Sequence, residues 1–212
     1  NRNMVLDAQC APIMLNAGPM GDHRNMQMFS WYFAPVALST PDAHPICANL
    51  DPVHFDFAGS IDPVNAREGL ESTVLLSTSP RSLAYNAPVR VGASVVELPP
   101  EHFETGRTEG FPLAVLLEGQ FDSFYALRLG EAMREDPDFA FNPSTDNGQL
   151  IVMADADFIR NDVRNTEQGI TPMPLGFDRY SGQVIYDNKE WLLNAVSYLL
   201  DDAAQISLRS RS

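Results

Sequence analysis

Two aspartates separated by a single residue, Asp155 and Asp157, are the most suggestive chemical feature of the sequence, and Arg160 follows three residues later. They come directly after an apolar run that predicts a strand. Ligands of open α/β sheets gather at the carboxyl ends of strands, and paired carboxylates can supply oxygen ligands to Mg²⁺ or Ca²⁺. In the alternative interpretation, one Asp turns the chain and caps the next segment while Arg160 pairs with the other. All three residues are candidate ligand-binding residues, and no metal is assigned to them.

Aromatic residues group at 31–33 and again at 121–125. Exposed rings of this kind can stack on sugar rings or anchor a protein interface, although most aromatic side chains belong to the core. Trp31 and Tyr32 are therefore further candidates for binding a ligand, and a carbohydrate is the class that their rings would suit.

The two cysteines, Cys10 and Cys47, lack the spacing of a zinc site. They are either two buried small residues or one disulfide, which would suit an oxidising compartment. His44 precedes Cys47 by three residues, but the surrounding prolines indicate a turn rather than an activated Cys–His pair. The sequence contains no Gly-x-Ser-x-Gly elbow and no phosphate-binding loop. We therefore predict no catalytic residue and no cofactor.

Charge excludes whole classes of partner. The 212 residues carry 14 Lys and Arg against 28 Asp and Glu, a formal net charge of −14. A nucleic-acid partner is excluded because neutralising phosphates requires a basic surface. No segment reaches the roughly 18 consecutive apolar residues of a membrane span, while a hydrophobic content of 44% is enough for a folded core.

The elements that would position these residues follow from apolar patterning. Prolines break the first 70 residues into loops and short strands. Strands are predicted at 11–15, 29–33, 54–58, 71–79 and 89–96, and two more, buried on both faces, at 111–118 and 148–155. The stretch 122–134 is weakly helical. Residues 97–110 form a solvated loop that could mark a subdomain seam.

An amphipathic helix is predicted at 187–202. Its apolar stripe includes Trp191, Leu192, Val196 and Leu199, and Asp187 followed by Glu190 resembles a capping box.

Blocks distributed along nearly the whole chain carry a family resemblance. They read LDAQCAPI, HPICANLDPVHFDFAGSID, LLSTSPRSLAYNAPVRV, LAVLLEGQFDSFY, ADADFIRNDVRN, PLGFDRYSGQ, DNKEWLLNAVSYLLDD and ISLRSRS. In this order they resemble the auxiliary proteins of gliding-motility-associated ABC transporters, the GldG type, found in Bacteroidetes.

The resemblance implies an α/β fold with a partial flavodoxin-like or class I glutamine-amidotransferase-like sheet, preceded by a loop- and strand-rich N-terminal region. It implies a single extracytoplasmic region over residues 1–212, held at the inner membrane by anchors that this sequence lacks. Its partners would be an ABC permease and an ATPase. It carries over no catalytic residue.

Three functions remain open at this point. The first is a non-enzymatic, substrate-binding-like auxiliary subunit of an ABC transport system, acting in the periplasm by binding a protein or a small ligand. The second is a carbohydrate- or peptidoglycan-binding module that uses an aromatic group. The third is a metal-dependent hydrolase on an α/β scaffold that uses Asp155 and Asp157.

Overall fold

The computed structural model describes residues 2–18, 25–39, 43–62, 69–166 and 169–200. The last block of the resemblance, ISLRSRS, and the end of the 187–202 segment lie outside them. The strands are β1 (Asn3–Asp7), β2 (Cys10–Asn16), β3 (Met26–Ala37), β4 (Val53–His54), β5 (Leu70–Ser77), β6 (Ser82–Asn86), β7 (Pro112–Asp122), β8 (Ser144–Met153), β9 (Val163–Thr166), β10 (Gly169–Pro172), β11 (Phe177–Asp178) and β12 (Gln183–Val184). The helices are α1 (Glu131–Arg134) and α2 (Asn188–Leu199), and short 3₁₀ turns cover Pro45–Cys47, Ala93–Glu97, Pro100–Phe103 and Asp157–Ile159.

The main core is built on an antiparallel sheet in the order β5-β7-β8. Residues 113–116 of β7 are all buried, which means that both faces of this strand are covered, as its unbroken apolar run predicted. Strand β8 confirms the strand predicted at 148–155, but the expectation that it is buried on both faces is wrong, because Gln149 and Leu150 are exposed and 151–153 are only half-buried at the edge of the sheet. Leu116 shares its core with Ile46, Phe55, Phe158 and Trp191, and the sheet, α2 and two 3₁₀ turns therefore pack together.

A second antiparallel sheet has the order β2-β3-β4, and β1 pairs with β6 beside it. Its own core contains Leu6, Tyr32, Phe33, Val95 and Phe103. The 12-residue strand β3 contributes to both faces of this region because successive side chains point to opposite sides of a strand.

Several strand predictions are confirmed. Strands β2, β3 and β5 fall on 11–15, 29–33 and 71–79, whereas in 54–58 only the first residue is in a strand. The strand predicted at 89–96 is wrong. Gly92 interrupts the apolar run and begins the turn Ala93–Glu97, of which Val95 alone is buried. The weak helix predicted at 122–134 is limited to α1, the four residues at its end.

The loop at 97–110 is not simply solvated, because Phe103 is fully buried with its ring 4.4 Å from that of Tyr32. Whether a subdomain seam lies here stays a prediction. The strand pairs among the described residues are antiparallel. They do not form the parallel sheet that a flavodoxin-like fold would have, and that assignment also stays a prediction. No described helix is long and apolar enough to cross a membrane.

Helix α2 confirms the predicted helix but turns a different face to the core. Its buried residues are Asn188, Trp191, Asn194 and Ala195. The predicted stripe is therefore right at Trp191 and wrong at Val196 and Leu199, which are exposed. The reason is that the side-chain amides of Asn188 and Asn194 are buried and donate hydrogen bonds to backbone carbonyls. The pattern of apolar residues alone cannot predict the burial of polar side chains.

The capping box is not formed either. The side chain of Asp187 makes no capping hydrogen bond to α2. Instead its Oδ2 accepts a hydrogen bond of 2.7 Å from the backbone N–H of Asp51. The residue that begins the helix therefore also ties it to the loop that precedes β4.

The rotated face of α2 gives a direct test. Trp191 is 2% exposed, and its indole N–H lies 3.2 Å from Cys47 Sγ, so that Trp191→Ala should lower the free energy of unfolding by about 3 to 5 kcal/mol. Val196→Ala, on the 45% exposed side, should change it by less than about 0.5 kcal/mol. Urea denaturation of both variants measures the difference, and similar losses would contradict the orientation of the helix.

Candidate functional site

A cleft of about 360 Å³ opens between the β2-β3-β4 sheet and the segment that runs from residue 157 to α2. Its volume is within the range of small-molecule sites, which is roughly 300 to 1,000 Å³. Its described lining consists of Ala11, Pro12, Ile13, Trp31, Ala34, His54, Asp56, Phe57, Asp157, Phe158, Arg160, Asp162, Pro174, Leu175, Gly176, Phe177, Asp178, Arg179, Tyr180, Tyr186 and Asn188.

One part of the lining is aromatic. The ring of Trp31 packs edge-on against Phe33 at 5.2 Å and against Phe57 at 6.4 Å. Phe57 is 42% exposed and has a φ of 54°, in the left-handed region that a non-glycine residue rarely adopts. Such strain is retained where the surroundings impose it and is typical of ligand-binding sites.

The other part carries two ion pairs. Arg160 Nη1 lies 3.1 Å from Asp157 Oδ1, and Arg179 Nη2 lies 3.1 Å from Asp162 Oδ2. Both pairs are largely exposed, and they therefore contribute little to folding stability. They instead present planar, charged hydrogen-bonding groups to whatever enters the cleft.

His54 lies at the inner end of the cleft, where its ring stacks on Tyr186 at 4.9 Å. Its Nε2 is 3.8 Å from Asp56 Oδ1. Burial lowers the pKa of His54 below its ordinary value of 6.5, and the negative charges of Asp56, Asp155, Asp162 and Asp178 oppose that shift only in part.

Asp178 is held ionised. Burial alone would raise its pKa, but hydrogen bonds from Ser181 and from the backbone N–H of Tyr180 lower it below its ordinary value. The N–H of Ser181 is 2.7 Å from Asp178 Oδ2. With Asp56, Asp157 and Asp162, Asp178 gives the lining four carboxylates against two arginines, and the cleft is therefore acidic.

Two backbone segments of the cleft lining, at Gly176 and at Tyr186, lie in close contact. Gly176 has a φ of 80°, and its carbonyl accepts from the N–H groups of Ile185 and Tyr186 at 3.2 Å. A Cβ at this position would lie 1.9 Å from the carbonyl oxygen of Tyr186. Only glycine fits here, and it allows the chain before β11 to lie against the chain after β12.

The structure brings together three of the five residues that the sequence suggested for ligand binding. Trp31, Asp157 and Arg160 line the same cleft. Asp155 lies behind the lining, where Oδ1 accepts from the N–H of Asp157 at 2.8 Å and Oδ2 from the N–H of Asp56 at 2.9 Å. This arrangement is the alternative considered for the sequence, in which one aspartate caps the next segment and Arg160 pairs with the other. Asp155 accepts the hydrogen bond at the start of the turn Asp157–Ile159, and Arg160 pairs with Asp157.

Tyr32 does not belong to the site. It is next to Trp31 in β3 and therefore points to the opposite face of the strand, where it is 8% exposed and its hydroxyl donates to the carbonyl of Leu98. The cleft therefore gives no support to Tyr32 as a ligand-binding residue, and that role stays a prediction. The second aromatic group, at 121–125, lies away from the cleft on the β7–β8 hairpin.

The disulfide considered for Cys10 and Cys47 is not formed, since both thiols are free. Cys47 is buried in the main core, where Sγ donates to the carbonyl of Leu75, and Cys10 packs on the other core. Burial raises the pKa of Cys10 to about 12 and that of Cys47 to about 11, which leaves neither thiol nucleophilic at neutral pH. His44 turns its ring against Tyr198 instead.

Sequence reasoning missed the residues that complete the cleft, namely His54, Asp56, Asp178, Arg179 and Asn188. One signal was available. In the alternating segment 54–57, His54 and Asp56 share a face of the chain opposite the fully buried Phe55. Asp178 and Arg179 come from a segment without periodicity. Asn188 begins the predicted helix α2 but is polar, so that the apolar stripe gave no sign of it. Only the folded chain brings these three residues to the site.

The arginines, carboxylates and rings of the cleft suit hydrogen bonding and ring stacking. Its described lining contains no serine, threonine, cysteine or lysine. Among the described residues, no group of three or more His, Cys, Asp or Glu is arranged to hold a metal ion. Arg–Asp pairs beside exposed ring faces suit a polar ligand rich in hydroxyl or amide groups.

Comparison with known proteins gave one match. The model of a family described as an ABC-type uncharacterized transport system matches residues 1–195. No curated protein and no solved structure matches the chain.

The lowered pKa of His54 predicts a pH effect on stability. The unfolded chain takes up a proton at His54 near pH 6.5, before the folded chain does, so that stability should fall as the pH falls from 6.5 to the folded-state pKa. His54→Gln should flatten this part of the curve without abolishing it, because burial also lowers the pKa of His44. Urea denaturation between pH 5 and pH 8 measures it, with the exposed His102→Gln as control, and an unchanged slope in His54→Gln would refute the assignment.

Proposed function

The chain belongs to the auxiliary family described as an ABC-type uncharacterized transport system, and we propose that it is a non-enzymatic subunit that binds a polar ligand in the acidic cleft. The family implies association with transporter components. In this proposal the transporter components are a permease and an ATPase. The cleft binds the ligand, and no cofactor is needed.

The observation that carries the ligand-binding part is the convergence of Trp31, Phe57 and the two Asp–Arg pairs on one cleft of about 360 Å³. A single strand of buried aromatic residues would be explained by packing alone. Packing does not explain the strained backbone and exposed ring of Phe57 or the exposed ion pairs beside it. Contact with a bound ligand would explain both features.

The resemblance to the GldG type supports the finer parts of the proposal. They are a position on the extracytoplasmic side of the inner membrane, attachment by membrane anchors, and an association with gliding motility. A cleft lined by four carboxylates is compatible with a neutral or cationic ligand.

A carbohydrate- or peptidoglycan-binding module is the second candidate, and it is favoured by the half-buried ring of Trp31 and the exposed ring of Phe57 beside carboxylates. It differs from the first in requiring no transporter. The geometry disfavours the metal-dependent hydrolase, because both carboxylate oxygens of Asp155 already accept backbone hydrogen bonds.

Partner capture tests the first proposal. The full-length protein, tagged and isolated gently from its native cells after mild crosslinking, should retain an ABC ATPase and a multi-span permease as identified by mass spectrometry. Retention of cell-wall glycan or periplasmic enzymes without either transporter component would overturn the subunit proposal and favour the carbohydrate module.

Ligand retention tests the cleft itself. Soluble peptidoglycan fragments, titrated calorimetrically into the protein, should bind, and Trp31→Ala and Arg179→Gln should each weaken binding about tenfold or more, since each removes a ring face or a charged donor. Tyr125→Ala is the matched control, because it removes an exposed ring outside the cleft. Equal weakening by all three variants, or by Tyr125→Ala alone, would contradict this location.

A further inference from the structure

The β7–β8 hairpin extends away from the core. No residue from 117 to 153 is buried, although residues 113–116 of the same strand are. The strands stay paired as far as Asp122 and Ser144. Residues 123–143, which connect them, are called the hairpin tip below.

The hairpin tip exposes large apolar side chains at a density that folding does not explain. Leu127 is 94% exposed, Phe124 66% and Tyr125 57%, with Met133 and Phe139 at about half. Soluble proteins rarely expose apolar residues in such groups unless they contact a partner. Exposing these apolar side chains to water is unfavourable, and no residue of the tip is buried in the core.

The aromatic side chains of the tip are arranged in pairs before any partner binds. Phe124 and Tyr125 have ring centroids 5.4 Å apart at 90°, and Phe139 and Phe141 stack at 6.4 Å. The guanidinium of Arg128 lies 3.5 Å above the ring of Phe124. Aromatic and arginine side chains held in this way are the residue types that dominate binding energy at protein interfaces.

Charge decides between the possible occupants. The tip contains four acidic residues, Glu131, Glu135, Asp136 and Asp138, and two arginines, which gives 2 − 4 = −2. An anionic lipid surface would repel it. A second copy of the chain, with its net charge of −14, would also be repelled. A protein surface with an apolar pocket bordered by Lys and Arg is complementary on both counts.

We propose that the hairpin tip is a docking surface for another protein of the transport system, whose apolar pocket, bordered by basic residues, receives the rings of Phe124 and Phe139 and the side chain of Leu127. The identity of that partner as a transporter component rests on the proposed function. The surface is separate from the ligand cleft, and the two can therefore be disabled independently.

The test uses the full-length protein in its native cells. A photocrosslinking amino acid replaces Leu127, and the crosslinked product is identified by mass spectrometry. In parallel, a triple variant, Phe124→Ser, Leu127→Ser and Phe139→Ser, is compared with wild type for retention of the permease. These side chains are at least half exposed, so the variant should fold, and an unchanged melting temperature checks this.

We expect the crosslink to map to a transporter protein and the triple variant to lose permease retention at least tenfold. The control Ile170→Ser, which removes a 72% exposed apolar side chain outside both the tip and the cleft, should retain the permease. Replacing Glu135, Asp136 and Asp138 by the corresponding amides should also weaken retention and reduce its dependence on salt. Permease retained equally by wild type and the triple variant would overturn the docking surface while leaving the proposed function intact. Failure of wild type to retain any transporter protein would instead overturn the proposed function.

Two further measurements examine the other occupants. Flotation with vesicles of phosphatidylcholine alone, and of phosphatidylcholine with phosphatidylglycerol, should leave the protein unbound. Sedimentation velocity should give the same molecular mass for wild type and the triple variant. Flotation or dimerisation that disappears in the triple variant would assign the tip to lipid or to self-association and overturn the proposal.

Discussion

The buried amide of Asn188 is the contact on which the arrangement of the cleft depends. Its Oδ1 accepts from the N–H of His54 at 3.0 Å, and its Nδ2 donates to the carbonyls of His54 and Phe158 at 2.8 and 3.1 Å. One side chain at the start of α2 thereby satisfies backbone groups of β4 and of the turn Asp157–Ile159. Because an unpaired buried polar group costs about 1 to 3 kcal/mol, these three elements can hardly shift independently.

From that fixed point the rest of the cleft follows. The position of His54 places its ring on Tyr186. Two residues further along the chain, the backbone N–H of Asp56 donates a hydrogen bond to Oδ2 of Asp155. The same Asp155 begins the turn that carries Asp157 and, after it, Arg160. Residues from distant parts of the sequence thus meet because backbone groups, rather than the exposed ion pairs, determine their positions.

The sequence was informative where apolar periodicity alone determines structure. The unbroken run at 111–118 predicted a strand covered on both sides, and β7 is buried on both faces at 113–116. The same reasoning failed for the orientation of α2, since Asn188 and Asn194 count as polar and yet are buried. It could not show that Tyr32 is buried, because the covering of that face of β3 depends on Phe103, 71 residues later in the chain. Residue types alone suggested 155–160 as a ligand-binding segment. That this segment lines the same cleft as Trp31 could not be predicted, because tertiary hydrogen bonds bring the two together.

Helix α2 relates the polar cleft to the apolar hairpin. Its first residue, Asn188, anchors the cleft, and near its other end the hydroxyl of Tyr198 donates to Glu118 Oε1 at 2.9 Å, where β7 leaves the core. The ten residue steps from Asn188 to Tyr198 span about 15 Å of helix. Trp191 and Ala195, on the same face, fix the helix against the main core. The surface suited to a polar ligand and the hairpin that extends into solvent are therefore both positioned by one buried helical element, although they differ entirely in chemistry.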